Sequence, residues 1–192
     1  MTVATPSPLW LAFVNSEAPA ARGDALASFD AYVRWLRDAA VIHQERAALL
    51  LRRAPLQPAG ATAALLEARR MRAALALLTE PSLPASRGRD PALAELNRVL
   101  GRTAGMRQIV AQGAQGFAWE FVPTGDAFAG LLLPVVESAT DSLVRGELAR
   151  VARCAAPDCR RAFLDRSKNR TRRWCAMAGC GNRAKQRRLS SP

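Results

Sequence analysis

The sequence predicts an α+β protein: a mainly helical first part with one small β-hairpin, followed by a compact cysteine module that ends in a helix. Three observations carry this. Ala and Leu dominate the first 149 residues, with apolar positions at three- and four-residue spacing. A short region rich in Ile, Val, Phe and Trp is split by Gly113-Ala114-Gln115-Gly116, as a hairpin would be. All four cysteines fall within the last 43 residues.

Taken in order, Leu26, Phe29, Val33, Leu36 and Ala40 predict a helix over 24–42 with Asp24 as its N-cap. A second helix is expected from Ala61 to Thr79, with Leu65, Leu66, Leu75 and Leu78 facing inward, and Glu80-Pro81-Ser82-Leu83-Pro84 ends it. The chain to Gly88 reads as a loop. Asp90-Pro91 pairs a capping residue with proline at the first helical position, so a third helix is expected from there to about Leu100. Met106–Ala111 and Phe117–Val122 are the hairpin strands. A further helix is expected over 126–145, interrupted at Pro134, and a strand over 147–153 leads into the cysteines.

The opening MTVATPSPLWLAFVNSEAP has no Lys or Arg before its short apolar stretch, and so reads as neither a secretory signal nor an anchor. Ala127–Val136, the longest apolar run, is about half of the roughly 20 residues that span a bilayer. A soluble, cytoplasmic chain is expected.

The formal charge of +12 is unevenly placed. Residues 1–149 carry 15 Lys/Arg and 14 Asp/Glu, whereas residues 150–192 carry 13 Lys/Arg against Asp158 and Asp165 alone. The first part is electrostatically ordinary. The second carries an excess far beyond what solubility needs, which points to a polyanionic partner. The composition divides the chain into residues 1–148 and residues 149–192.

The cysteines run Cys154-x4-Cys159-x15-Cys175-x4-Cys180. Two close pairs joined by a medium loop can set four sulfurs tetrahedrally around one ion, the arrangement of structural Zn²⁺, and the fold expected is a treble-clef-like zinc module. Disulfides are the alternative, disfavoured in a chain without signs of secretion. Phe163, Leu164 and Trp174 are the large apolar residues near the sulfurs and are expected to shield the metal. So little apolar area is buried that ligation must supply most of the folding free energy, on the order of 10 kcal/mol. After Cys180, the proline-free stretch Gly181 to Leu189 predicts a basic helix.

These residues resemble the CGNR zinc-finger family, through Phe-Leu-Asp-Arg-Ser-Lys-Asn at 163–169, Arg-Arg-Trp-Cys at 172–175 and Cys-Gly-Asn-Arg at 180–183. The resemblance implies that Cys154, Cys159, Cys175 and Cys180 are the zinc ligands. It also implies an N-terminal ABATE domain, whose opening motif is similar to Leu-Ala-Phe-Val-Asn-Ser at 11–16, and a role as a stress-induced transcription regulator. Ala12 stands where the family often has Asp.

The function expected is zinc-dependent DNA binding. Arg166, Lys168, Arg170, Arg172 and Arg173 are candidate phosphate contacts, and Asn182, Arg183, Lys185 and Arg187 lie on the helix that would approach a groove. Asn182 has a second reading as a turn former beside the metal. RNA, or an acidic protein surface, is the alternative partner, and a small-molecule ligand or homodimerisation is open for the first part. Trp10, Phe13, Tyr32, Trp35 and Trp119 read as core before they read as a pocket. No enzyme is expected. A zinc held by four thiolates has no open position, and His43, the single histidine, reads as a surface residue.

Overall fold

The computed structural model describes residues 7–17, 23–80, 85–111 and 117–189. Its first part is helical, as the apolar spacing predicts. Helix α1 (Leu9–Val14) is short and central: Trp10, Leu11, Phe13 and Val14 are all buried. The Trp10 indole N–H donates to Ser142 Oγ at 3.0 Å, and Ser142 Oγ in turn donates to Glu147 Oε2 at 2.8 Å. A buried indole is thereby satisfied, as a core of this kind requires.

Helix α2 (Phe29–Asp38) starts later than expected. Ser28 is its N-cap, accepting from the Ala31 N–H at 3.1 Å. Asp24 is drawn elsewhere. Its Oδ1 closes a turn by accepting from the Leu26 N–H at 2.9 Å, and the carboxylate pairs with Arg72, whose guanidinium holds it below the usual carboxylate range. The helix also stops short of Ile42, because Ala40 turns into the left-handed region at φ 55°. The Val41 N–H then reaches back to Leu36 O at 2.8 Å.

Helix α3 (Gln44–Arg53) follows, with His43 as its N-cap. Helix α4 (Pro58–Leu77) begins three residues before the expected Ala61, with Pro58 in its first turn. Met71 and Leu75 are fully buried, whereas Leu66, expected inward, is 50% exposed.

Helix α5 (Ala85–Arg102) contains Pro91 instead of starting at it, so residues 85–88, expected as loop, are helical. Burial of Ala92, Leu96 and Val99 on one face holds that helix. The expected breaker at 81–84 lies outside the described residues.

Strands β1 (Gly105–Ala111) and β2 (Phe117–Pro123) pair antiparallel, with Ile109 opposite Trp119. Their expected turn, at 113–116, lies outside the described residues. Next comes a buried turn, then helix α6 (Leu133–Val144), with Pro134 in its first turn. Proline starts this helix where the sequence predicted an interruption, because the first N–H groups of a helix need no partner within it. Gly130, at φ 72°, allows the turn: a Cβ there would strike the Phe121 ring.

A 3-10 turn (Glu147–Arg150) replaces the first half of the expected strand over 147–153. Strand β3 (Val151–Arg153) then pairs antiparallel with β4 (Ala162–Leu164), and the chain ends in helix α7 (Asn182–Leu189).

The strand period of two gives β4 a double role. Ala162 and Leu164 belong to the main helical core, while Phe163 faces the other way and packs with the cysteines. Among the described residues no helix is long and apolar enough to cross a membrane.

Candidate metal centre

The four cysteines converge from four local structures. Cys154 follows β3 directly, and Cys159 sits in a turn closed by its own N–H to Ala156 O at 2.9 Å. Cys175 lies at a bend, and Cys180 lies in a single π turn, Met177–Gly181, that runs into α7.

All four Sγ atoms lie within 4.8 Å of one another, and Cys175 Sγ is 3.7 Å from both Cys159 Sγ and Cys180 Sγ. Tetrahedral ligands at about 2.3 Å from zinc are themselves about 3.8 Å apart. The donor set and its spacing therefore fit one Zn²⁺. The same distances rule out disulfides, whose sulfurs sit about 2.05 Å apart. The four thiols are free.

The electrostatics ask for a cation. Burial pushes the Cys154 thiol up, but N–H donors from Cys175 and Ala156 outweigh it and bring it down to about 7. Burial together with the crowding of neighbouring sulfurs pushes Cys175 and Cys180 up. Four thiolates so close are stable only around a shared positive charge.

Phe163 and Trp174 cover the sulfurs, as expected, whereas Leu164 turns into the helical core. The Arg172 guanidinium stacks over the Phe163 ring at 4.7 Å and donates to Trp174 O at 2.9 Å and to Cys175 O. Arg183 donates to Cys180 Sγ at 3.2 Å. Gly181 is a close-packing position, where a Cβ would meet Met177 Sδ and lie 3.3 Å from the Trp174 ring.

The loop between β4 and Arg172 is built on Asp165, a buried carboxylate. Oδ1 accepts from the Ser167 N–H at 2.8 Å and Oδ2 from the Arg172 N–H at 3.0 Å. Its desolvation by the loop raises the carboxyl, but those donors, the Ser167 hydroxyl and the Arg172 charge outweigh this and leave it below the usual range. Ser167 Oγ accepts from the Thr171 N–H at 3.2 Å, and Arg170 takes the left-handed conformation at φ 52°. The loop therefore has a fixed shape, with Lys168, Asn169 and Arg170 exposed on it.

The nine basic and amide candidates thus differ in placement. Arg166, Lys168, Arg170, Arg173 and Lys185 are exposed, Arg173 with its guanidinium 5.3 Å above the Trp174 ring. Arg172 and Arg183 are exposed as well, but their guanidinium groups are engaged with the centre, on Trp174 O and Cys175 O and on Cys180 Sγ. Asn182 donates from Nδ2 to Ala178 O at 3.4 Å, and Arg187 pairs with Asp158.

Asn15 is the residue that sequence reasoning missed. Its Nδ2 donates to Ala162 O at 2.8 Å and its Oδ1 accepts from the Ala162 N–H at 2.9 Å. The carboxamide thus continues the β3–β4 sheet as a third strand would. Arg153 adds a second tie, donating to Thr79 O at 3.2 Å and pairing with Glu80. No local signal marks this role, because its partner lies 147 residues away.

A CGNR zinc-finger model matches residues 150–191. A second model, ABATE, described as "Putative stress-induced transcription regulator", matches residues 7–159. The chain belongs to the ABATE family. No curated protein matches it. The two matches overlap over residues 150–159, the stretch that carries β3 and the first two cysteines. In this ABATE protein the overlap holds the first strand of the hairpin whose second strand, β4, is shared by the two cores. The family description is that of a regulator and not of an enzyme.

Of the aromatics, Trp10, Phe13 and Tyr32 are core, and Trp35 packs on Phe13 with ring centroids 5.1 Å apart. Trp119 is exposed. His43 is no bystander at the surface, since its Nε2 lies 2.8 Å from Glu120 Oε1 on β2.

Proposed function

We propose that this ABATE protein is a zinc-dependent DNA-binding transcription regulator, in which residues 149–192 form a four-cysteine finger that meets the duplex and residues 1–148 govern its use. The observation that carries the reading is the Asp165 loop. One buried carboxylate fixes a turn that projects Lys168 and Arg170 beside a four-thiol cluster, in a segment of net charge +11. A basic surface of fixed shape suits the regular phosphate spacing of a duplex.

The placements divide the labour. Lys168, Arg170, Arg173 and Lys185, with Arg166, contact phosphates. Arg172 and Arg183 hold the centre, and Asn182 shapes the turn into α7. Zinc bound by Cys154, Cys159, Cys175 and Cys180 supplies folding and charge neutralisation at the thiolates. With all four positions taken by sulfur it leaves no place for substrate or water, so the site is structural and the protein is not an enzyme. The protein works in the cytoplasm, on the nucleoid when DNA-bound.

The test is binding of duplex DNA, single-stranded DNA and structured RNA by the zinc-loaded chain. Preference for duplex supports the reading, and preference for either single strands or folded RNA moves the protein to another class of nucleic-acid binder. Absence of binding to all three ends it.

A further inference from the structure

We infer that the cleft between the helical first part and the finger is a binding site for a small zwitterion with two anionic groups and one cationic group, the charge pattern of an acidic amino acid. The cavity has a volume of about 820 Å³, within the roughly 300–1,000 Å³ of small-molecule sites, and it lies where such sites commonly lie, between two parts of a fold. Val14, Ala76 and Pro157 supply its apolar lining.

Its frame is fixed by the chain's own contacts. Asn15 is held on Ala162 by two hydrogen bonds. Arg153 reaches from the finger to Thr79 O at 3.2 Å and to Arg160 O at 2.6 Å, and it pairs with Glu80. Asp158 is likewise spent on Arg187. Three lining charges are left over. The guanidinium groups of Arg160 and Arg161, on the connection from Cys159 to β4, and the carboxylate of Glu17, just beyond α1, have no partner among the described residues.

Two unspent cations and one unspent anion call for the inverse set in a ligand. A guanidinium donates a forked pair of hydrogen bonds to a carboxylate, and an ammonium is met by Glu17. A simple dianion would leave Glu17 opposed by like charge, and a neutral amino acid would leave one guanidinium without a counter-charge. A nucleic-acid duplex is the wrong occupant, because Glu17, Glu80 and Asp158 line the same cleft and repel a phosphate backbone. Glu17 belongs to the first part and the two arginines to the finger, so the occupant bridges them. That bridge is a means for residues 1–148 to govern the finger, a consequence that rests on the function proposed above, whereas the site itself does not.

The experiment is calorimetric titration of the zinc-loaded full chain with L-glutamate, glutarate and L-glutamine, without nucleic acid, so that its failure says nothing of DNA binding. L-Glutamate is expected to bind with a Kd of about 1 mM or below, within reach of so small a ligand. Glutarate lacks the ammonium and L-glutamine the second carboxylate, and each should bind at least about tenfold more weakly, as loss of a charge-assisted hydrogen bond does. Arg160→Gln combined with Arg161→Gln should weaken L-glutamate binding by at least the same factor. Glu17→Gln should weaken L-glutamate and leave glutarate as it was. All three positions are exposed, so zinc content and circular dichroism should not change in these variants. Absence of L-glutamate binding overturns the inference. So does binding that either set of substitutions leaves unchanged, or that glutarate or L-glutamine matches.

Discussion

Asn15 is the single side chain on which the joining of the helical core to the metal centre most depends, so its replacement is the most informative. Ala162 is 1% exposed, and both its N–H and its C=O are satisfied by the Asn15 carboxamide. Asn15→Ala removes both partners. A buried backbone group left without a partner costs about 1–3 kcal/mol, so the pair should cost about 2–6 kcal/mol. Asn15→Asp is the sharper variant. A carboxylate can accept from the Ala162 N–H, but it cannot donate to Ala162 O and repels it. Once protonated, the acid again offers one donor and one acceptor. Because only the neutral acid donates, the introduced carboxyl should have a folded-state pKa raised above the ordinary Asp value of about 3.9. The stability it contributes is then present in acid and lost as pH rises through that raised value, so the deficit against native protein narrows as pH falls. Urea unfolding of the zinc-loaded chain followed by circular dichroism measures the deficit, and exchange of the Ala162 amide reports the contact itself. The reasoning is refuted if Asn15→Ala leaves both the unfolding midpoint and the Ala162 exchange rate unchanged.

Removing zinc with a chelator should release residues 165–189 to rapid amide exchange while α1 to α6 keep their protection; loss of protection throughout the chain would show that the two cores are not separable. Asp165→Asn should cost about 1–3 kcal/mol, because an amide cannot accept with both atoms from the Ser167 and Arg172 N–H groups. Since the native carboxyl titrates below the ordinary value, its contribution is present above about pH 4 and is lost as pH falls through the lowered value, so the gap between native and variant should close in acid. Lys168→Gln and Arg170→Gln should each flatten the salt dependence of DNA binding by about 0.9 in log–log slope. Arg172→Gln should instead weaken zinc retention, as it removes the stack on Phe163 and the donors to Trp174 O and Cys175 O. Tyr32→Phe should be neutral or stabilising by up to about 1–2 kcal/mol, because the buried Tyr32 hydroxyl has no hydrogen-bond partner among the described residues; a clear loss in thermal unfolding would contradict this.

Local signals told most of the fold, and contacts distant in sequence supplied the rest. The cysteine spacing was sufficient for the metal centre because the four ligands lie close in sequence and the chemistry of four thiols narrows the choices. Helix existence followed from apolar spacing, but starts and stops did not. Asp24 and Ser28 are both good caps, and the choice between them was made by Arg72, 48 residues away, which draws Asp24 out of the contest. Pro134 reads as an interruption and Pro91 as a helix start, yet the first falls in the first turn of α6 and the second well inside α5. Among the basic residues of the finger, which guanidinium reaches a carbonyl or a sulfur of the centre is decided by the folded loop and has no mark in the sequence. Asn15 was out of reach for the same reason, its partner being 147 residues away.

The central claim is that zinc shapes residues 149–192 into a DNA-binding surface. Fluorescence anisotropy of a labelled duplex, titrated with native chain and with Cys175→Ser over a range of salt, tests it most directly. If about six phosphates are neutralised, the native chain should bind with log affinity falling against log salt at a slope of about −5, and Cys175→Ser should lose most of that affinity. Equal binding by the two proteins would contradict the claim, because charge alone and not a metal-built surface would then hold the duplex.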